Sequence, residues 1–194
     1  MKSLLTASIL LAASLAVGAS AATEAALKAG VLEPALPAPE LALDGTDGKA
    51  LNLTRFHGKV VLLAFGFSSC AEVCPVTLAT LAGARRKLGD QAMGVQVVYV
   101  TVDPERDDAV RMKKYLASFD ATFVGGVGTR AQIDVAQKSY GISSTKQVYA
   151  DGNYTIGHSS SIYMIDRAGK LRAVMPYGHS SEDFAHDLRI LLRQ

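Results

Sequence analysis

The sequence predicts an α/β sandwich. Two short, wholly apolar runs, Val60–Phe65 and Val95–Val102, read as strands buried on both faces. Each is followed by a stretch with helical spacing, and the chain closes on a hairpin and a last helix. Strand, helix, strand, helix, hairpin, helix is the thioredoxin-like order: a three-layer sandwich, here with an N-terminal β-hairpin extension.

The elements follow in order. Lys2 precedes an unbroken small and apolar run from Leu4 to Val17, and Ala19-Ser20-Ala21 follows it. That is the pattern of a secretory signal peptide over residues 1–21. An uncleaved inner-membrane anchor is the alternative. The Ala/Ser-rich end of the run and the lack of a basic stop-transfer cluster favour cleavage, and no Cys stands at the cleavage position to carry a lipid. Removing the segment takes away one Lys and no acid, leaving a formal charge of +1. A periplasmic location is expected, where thiols tend to be oxidised. Residues 22–40 read as a Pro/Ala-rich tether, since three of the six prolines fall between Glu33 and Glu40 and no periodicity is visible.

The folded unit is expected over residues 41–194. Leu41-Ala42-Leu43 and Leu51-Asn52-Leu53 alternate about Asp44-Gly45 and Asp47-Gly48, as in a hairpin. Pro75–Leu88 has helical spacing at Leu78, Leu81, Ala82 and Leu88. Asp107–Phe119 repeats it at Val110, Tyr115, Leu116 and Phe119, with Asp107 and Asp108 as N-cap candidates. Thr129–Tyr140 is a weaker helix ended by Gly141. Ser160–Asp166 and Leu171–Met175 flank Arg167-Ala168-Gly169-Lys170 as a second hairpin. The last helix starts at Ser180 or Ser181 and buries Phe184, Leu188, Leu191 and Leu192.

Composition narrows the function. The chain has 194 residues, 49% hydrophobic and 20% charged, with a formal charge of +2. Those values exclude a largely disordered chain and a polytopic membrane protein. Near-neutral charge gives no footprint for nucleic acid. Two cysteines cannot staple a chain of this size, so their purpose has to be local.

They occur in Cys70-Ala71-Glu72-Val73-Cys74-Pro75, directly after the first buried strand and at the opening of the next helix. Carboxyl ends of strands in open α/β sheets are where functional groups gather. Pro75 suits the first helical position and biases Cys74 away from helical geometry. Sulfurs four residues apart there can face one another, near enough for a disulfide or a shared metal ion. A plain stabilising disulfide is the simpler explanation, but so short a loop is worth about 2 kcal/mol, against about 4.7 kcal/mol for a hundred-residue loop. Magnitude therefore favours function.

A third ligand would separate metal from redox chemistry. His57 reads as a solvated turn residue, His186 as an exposed helix residue, and His179 as a weak loop candidate. His158 lies immediately before the strand Ser160–Asp166, and in this fold that loop faces the cysteine loop. Two thiolates and one imidazole form a soft set. Structural zinc wants four protein ligands, whereas thiolates select Cu(I) and an imidazole also accommodates Cu(II), so copper is the metal expected.

At this point the residues resemble a known family. Phe65-Gly66-Phe67-Ser68-Ser69-Cys70-Ala71-Glu72-Val73-Cys74-Pro75 looks like the signature of the Sco/SenC copper chaperones. Val102-Asp103-Pro104-Glu105-Arg106-Asp107 resembles that family's acidic motif, and His158-Ser159 with Ile162–Asp166 is similar to its His-Ser segment and following strand. The resemblance runs from about residue 40 to the C-terminus. It implies a thioredoxin fold, copper held by Cys70, Cys74 and His158, and delivery to the binuclear copper centre of cytochrome c oxidase. The implied partners are the copper-bearing oxidase subunit or another periplasmic copper protein, with a thioredoxin-like reductant to keep the cysteines reduced. Ala71 and Glu72 stand where the family often has Pro-Asp, and Gly157 where it often has Asp, which bears on affinity and redox poise.

The Asp103–Asp107 segment would lie beside the same cleft, either shaping the site or serving as a turn and helix cap. Met164 reads as strand core. Besides the metallochaperone, a thiol–disulfide oxidoreductase using the redox-active pair Cys70 and Cys74 stays open, although four-residue spacing counts against it. A peroxidase on the same fold is disfavoured by the absence of Trp and by the paired cysteines.

Overall fold

The computed structural model describes residues 26–194. The signal-peptide expectation, residues 1–21, lies outside the described residues. No helix among them is long and apolar enough to cross a membrane.

Among the described residues ten strands and four α-helices follow in chain order: β1 (Gly30–Pro37), β2 (Leu43–Gly45), β3 (Ala50–Leu51), β4 (Val60–Gly66), α1 (Val73–Leu88), β5 (Val95–Thr101), α2 (Ala109–Ala117), β6 (Val124–Val127), α3 (Arg130–Ser139), β7 (Ser144–Val148), β8 (Tyr154–His158), β9 (Ile162–Ile165), β10 (Lys170–Met175) and α4 (Ser181–Leu191). Eight strands form one sheet in the order β1-β10-β9-β4-β5-β6-β2-β3, while β7 and β8 pair only with each other. At the centre β4 and β5 run parallel from Val60↔Val95 to Gly66↔Thr101. Every residue of both strands is buried, so layers cover both faces of the sheet. This is the expected three-layer sandwich. Its N-terminal hairpin, β2 with β3, is added beyond β6.

Three local expectations are corrected. The segment expected to be a tether is in part an edge strand: β1 pairs antiparallel with β10, from Gly30↔Val174 to Pro37↔Lys170. Its mostly exposed residues leave no periodicity to read, and an edge strand tolerates Pro34 and Pro37 because proline's missing donor is lost only on the unpaired side. Helix α1 begins at Val73 rather than Pro75, so Cys74 sits inside its first turn. The first four amides of a helix have no intrahelical partner, which is why Pro75 is accommodated there. Finally, the stretch before β9 is not a bare loop, because β7 and β8 form a hairpin that ends on His158.

Elsewhere the caps are as the residue types suggest. Asp108 accepts from the Arg111 amide at the start of α2, and Thr129 and Ser180 make capping boxes with Gln132 and Asp183. Val110, expected on the apolar face of α2, is 78% exposed, and Met112 and Leu116 carry the burial. Met164 is fully buried in β9, as expected.

Candidate metal centre

The loop between β4 and α1 carries both cysteines, and its shape is set by the acidic motif after β5. Val102 continues the central ladder by donating its amide to the Gly66 carbonyl at 2.8 Å. That brings the buried carboxylate of Asp107 under the loop. It accepts from the Ser68 amide at 3.0 Å, from the Ser68 hydroxyl, and from the Thr101 hydroxyl at 2.7 Å. Arg111, one turn further on, donates to the hydroxyls of Ser68 at 2.7 Å and Ser69 at 2.8 Å. Asp107 is therefore neither a helix cap nor a metal ligand as placed; it holds the shoulder that leads into Cys70.

Both cysteines are free thiols. Cys70 is half-buried, and its sulfur accepts from the Cys74 amide at 3.4 Å, the service that the Glu72 N-cap side chain does not perform for α1. Cys74 is 2% exposed, and burial pushes its thiol up to about 12. The neighbouring Cys70 adds to that rise, while the Tyr99 hydroxyl opposes it.

His158 reaches the site from the end of β8. Its Nε2 lies 3.6 Å from the Cys74 sulfur, and its Nδ1 lies 2.8 Å from the Ser159 carbonyl. A carbonyl oxygen only accepts, so Nδ1 carries the proton and Nε2 turns its lone pair to Cys74. Burial lowers the pKa of this imidazole below 6.5, which keeps it neutral and able to ligate at neutral pH. Phe67 stands edge-on to the ring, with centroids 6.0 Å apart.

The β7–β8 arm has its own fastening. The Tyr154 hydroxyl donates to Asp103, Arg106 pairs with the same carboxylate and donates to the Tyr154 carbonyl at 3.0 Å, and the guanidinium lies 3.7 Å from the Tyr154 ring centre. Two of the motif's three acids thus divide the work. Asp107 fixes the cysteine loop and Asp103 fixes the strand that carries His158.

Cys74 and His158 line one small cavity together with Thr77 and Tyr99. Cys70, whose sulfur is turned to the Cys74 amide, does not join them, and among the described residues no three His, Cys, Asp or Glu side chains are grouped as a ready metal site. The other histidines lie elsewhere: His57 against Gly169, His179 beside Asp183, and His186 beside Asp187. Sequence reasoning missed Tyr99, whose alternating position in an apolar strand marks it only as core. It also missed Tyr154 and Arg106, which act through an element that left no pattern.

The donor set fits a soft, thiophilic ion. Two sulfurs four residues apart and an imidazole with a fixed tautomer can supply three points, with no fourth His, Cys, Asp or Glu grouped with them among the described residues to close a structural zinc site.

The family model described as SCO1/SenC matches residues 33–193. Among solved structures, copper-bound ScoI of Bradyrhizobium japonicum is 34% identical, covers 80% of this chain and 99% of its own, and superposes with a TM-score of 0.74. Apo Sco1 of Thermus thermophilus is 32% identical, covers 86% and 98%, and has a TM-score of 0.77. The SCO2-like protein of Rickettsia conorii is 34% identical over 132 residues, which are 64% of this chain and 62% of that protein, so the match spans less than two thirds of this relative's length. On the extent of that family match, and with the thioredoxin-like fold shared, the chain belongs to the SCO1/SenC family.

Proposed function

We propose that this protein is an exported copper carrier that holds the ion through Cys70, Cys74 and His158 and passes it to the copper-bearing subunit of cytochrome c oxidase. The observation that carries the reading is the imidazole Nε2 at 3.6 Å from the Cys74 sulfur with its other nitrogen already committed. The ion is cargo here, and the residues explain how it would be taken up and released. Cys70 is the more exposed thiol and meets the ion first, turning away from the Cys74 amide. Cys74 then closes the pair, and each thiol releases its proton to solvent as its sulfur takes the ion. His158 completes the set and is the donor most easily withdrawn, because β7 and β8 join no strand of the main sheet. A thiolate of the recipient could replace it by ligand exchange while both cysteines still hold the ion.

Anaerobic Cu(I) titration of the reduced protein tests this. About one copper per chain is expected, with loss in Cys70→Ser and in His158→Ala. Copper binding of unchanged strength in His158→Ala removes the reading. A second reading, reduction of cysteines on an oxidase subunit or another exported protein, is favoured by one observation: both thiols are free and one of them is reachable. It requires a defined dithiol potential and leaves His158 dispensable.

A further inference from the structure

Tyr99 is the residue of the candidate site without an assigned task. It stands in β5 opposite Ala64 of β4, 1% exposed, and lines the cavity shared by Cys74 and His158. Among the described residues its hydroxyl has no hydrogen-bond partner in proper alignment. A buried hydroxyl left unpaired is unfavourable, and of the two such hydroxyls among the described residues, those of Tyr99 and Tyr115, only that of Tyr99 lines the cavity shared by Cys74 and His158.

The acceptor beside it is a sulfur. A Cβ placed at Gly66 would collide with the Tyr99 hydroxyl and stand 2.9 Å from the Cys74 Sγ, so the two groups crowd the same point, and glycine at position 66 is what leaves them room. A neutral thiol is a weak acceptor, whereas a charged or metal-bound sulfur is a strong one. The ring is buried in the core and packs beside Tyr115, with centroids 6.5 Å apart, so the hydroxyl oxygen stays at this point while its proton is free to turn to the sulfur.

We infer that the Tyr99 hydroxyl donates a hydrogen bond to the Cys74 sulfur when that sulfur is bound to a metal ion, and so sets its donor strength. Tyr99 is a positioning residue, acting on the ion through Cys74. The copper arm of the test rests on the function proposed above; the mercury arm does not. A hydrogen bond to a ligating sulfur lowers the energy of its lone pairs and shifts the metal toward its reduced state. Removing that bond therefore moves the sulfur-to-metal charge-transfer band to lower energy and the Cu(II)/Cu(I) potential downward.

The experiment compares the full chain with Tyr99→Phe, which keeps the ring, and with Tyr115→Phe, which removes a neighbouring buried hydroxyl. Two adducts are read in absorption: Cu(II), and Hg(II), which is held by closely spaced pairs of thiolates whatever the natural metal and so draws Cys74 in with Cys70. The expected result is a shift to lower energy in Tyr99→Phe for both adducts, and none in Tyr115→Phe. Copper uptake with bands that stay in place, or equal shifts in both variants, overturns the role of Tyr99 and leaves the copper reading standing. No copper uptake by the unmodified chain, with the mercury band still shifted in Tyr99→Phe, sinks the copper reading and upholds Tyr99.

Discussion

The Tyr154 hydroxyl donates to the carboxylate of Asp103 at 2.8 Å, and Asp103 is fully buried. Tyr154 opens the strand that ends on His158, so this bond fastens one end of the arm whose other end reaches Cys74. Hydrogen bonds to charged groups contribute about 1.5–3 kcal/mol. Tyr154→Phe should therefore leave the main sheet intact while amides of β7 and β8 lose hydrogen-exchange protection. Copper affinity should fall about tenfold, as for other groups that orient a ligand from behind. Exchange spectra of the two proteins, with copper titrations alongside, check both outcomes.

Acid should loosen the same arm. His158 is held neutral by burial, with its pKa below 6.5. The unfolded chain then binds the proton more readily than the folded one, so the contribution of His158 is complete above 6.5 and is lost as pH falls through the lowered value. Urea midpoints at about pH 7.5 and about pH 5 for the natural chain and His158→Gln should show the advantage of the natural chain shrinking on acidification.

The two thiols should differ sharply in reactivity. With Cys74 raised to about 12, roughly one molecule in ten thousand carries its thiolate at pH 8. Cys74 is also 2% exposed, whereas Cys70 is half-buried. Iodoacetamide on the reduced, metal-free protein should alkylate Cys70 first and Cys74 only after denaturation, with mass spectrometry of the peptides giving the order.

These groups were not equally visible in the sequence. The central strands were legible because β4 and β5 are apolar at nearly every position, and the cysteine spacing with a distant His picked out the residues that supply the Cys74–His158 contact of 3.6 Å. The strands β1 and β7 left no pattern, because their residues are mainly exposed and neither strand has a buried face to alternate with. Strand β6 is too short and too rich in glycine to read. The reason for Gly125 is tertiary: a Cβ there would lie 2.6 Å from Met112 and from Thr46. The part played by Asp103 was undecided for a similar reason, since its partner Tyr154 lies 51 residues away on the unpredicted hairpin.

Gly66 tests the crowding at the cysteine site by itself. Gly66→Ala puts a methyl group into the Tyr99 hydroxyl and 2.9 Å from the Cys74 sulfur. Overpacking of this kind costs about 1–3 kcal/mol. Adding Tyr99→Phe removes the hydroxyl but not the ring carbon behind it, so the double variant should recover part of the loss. A double-mutant cycle on urea midpoints should then give a favourable coupling of at least about 0.5 kcal/mol.

The N-terminal edge strand should come away without the site. Asp187 in α4 is fully buried, and its carboxylate accepts from the amides of Lys28 and Ala29, each at 2.9 Å, which is where the chain enters β1. Asn at this position keeps one acceptor oxygen and sets an NH2 group against the amides. The loss should be about 1–3 kcal/mol, felt first where the chain has fewest buried neighbours. In β1 most residues are exposed, whereas β10 still pairs with β9 when β1 leaves. Limited proteolysis of Asp187→Asn should therefore cut between residues 28 and 37 well before the rest of the domain. Copper titration of the same protein should match the natural chain, because neither Cys74 nor His158 touches this strand.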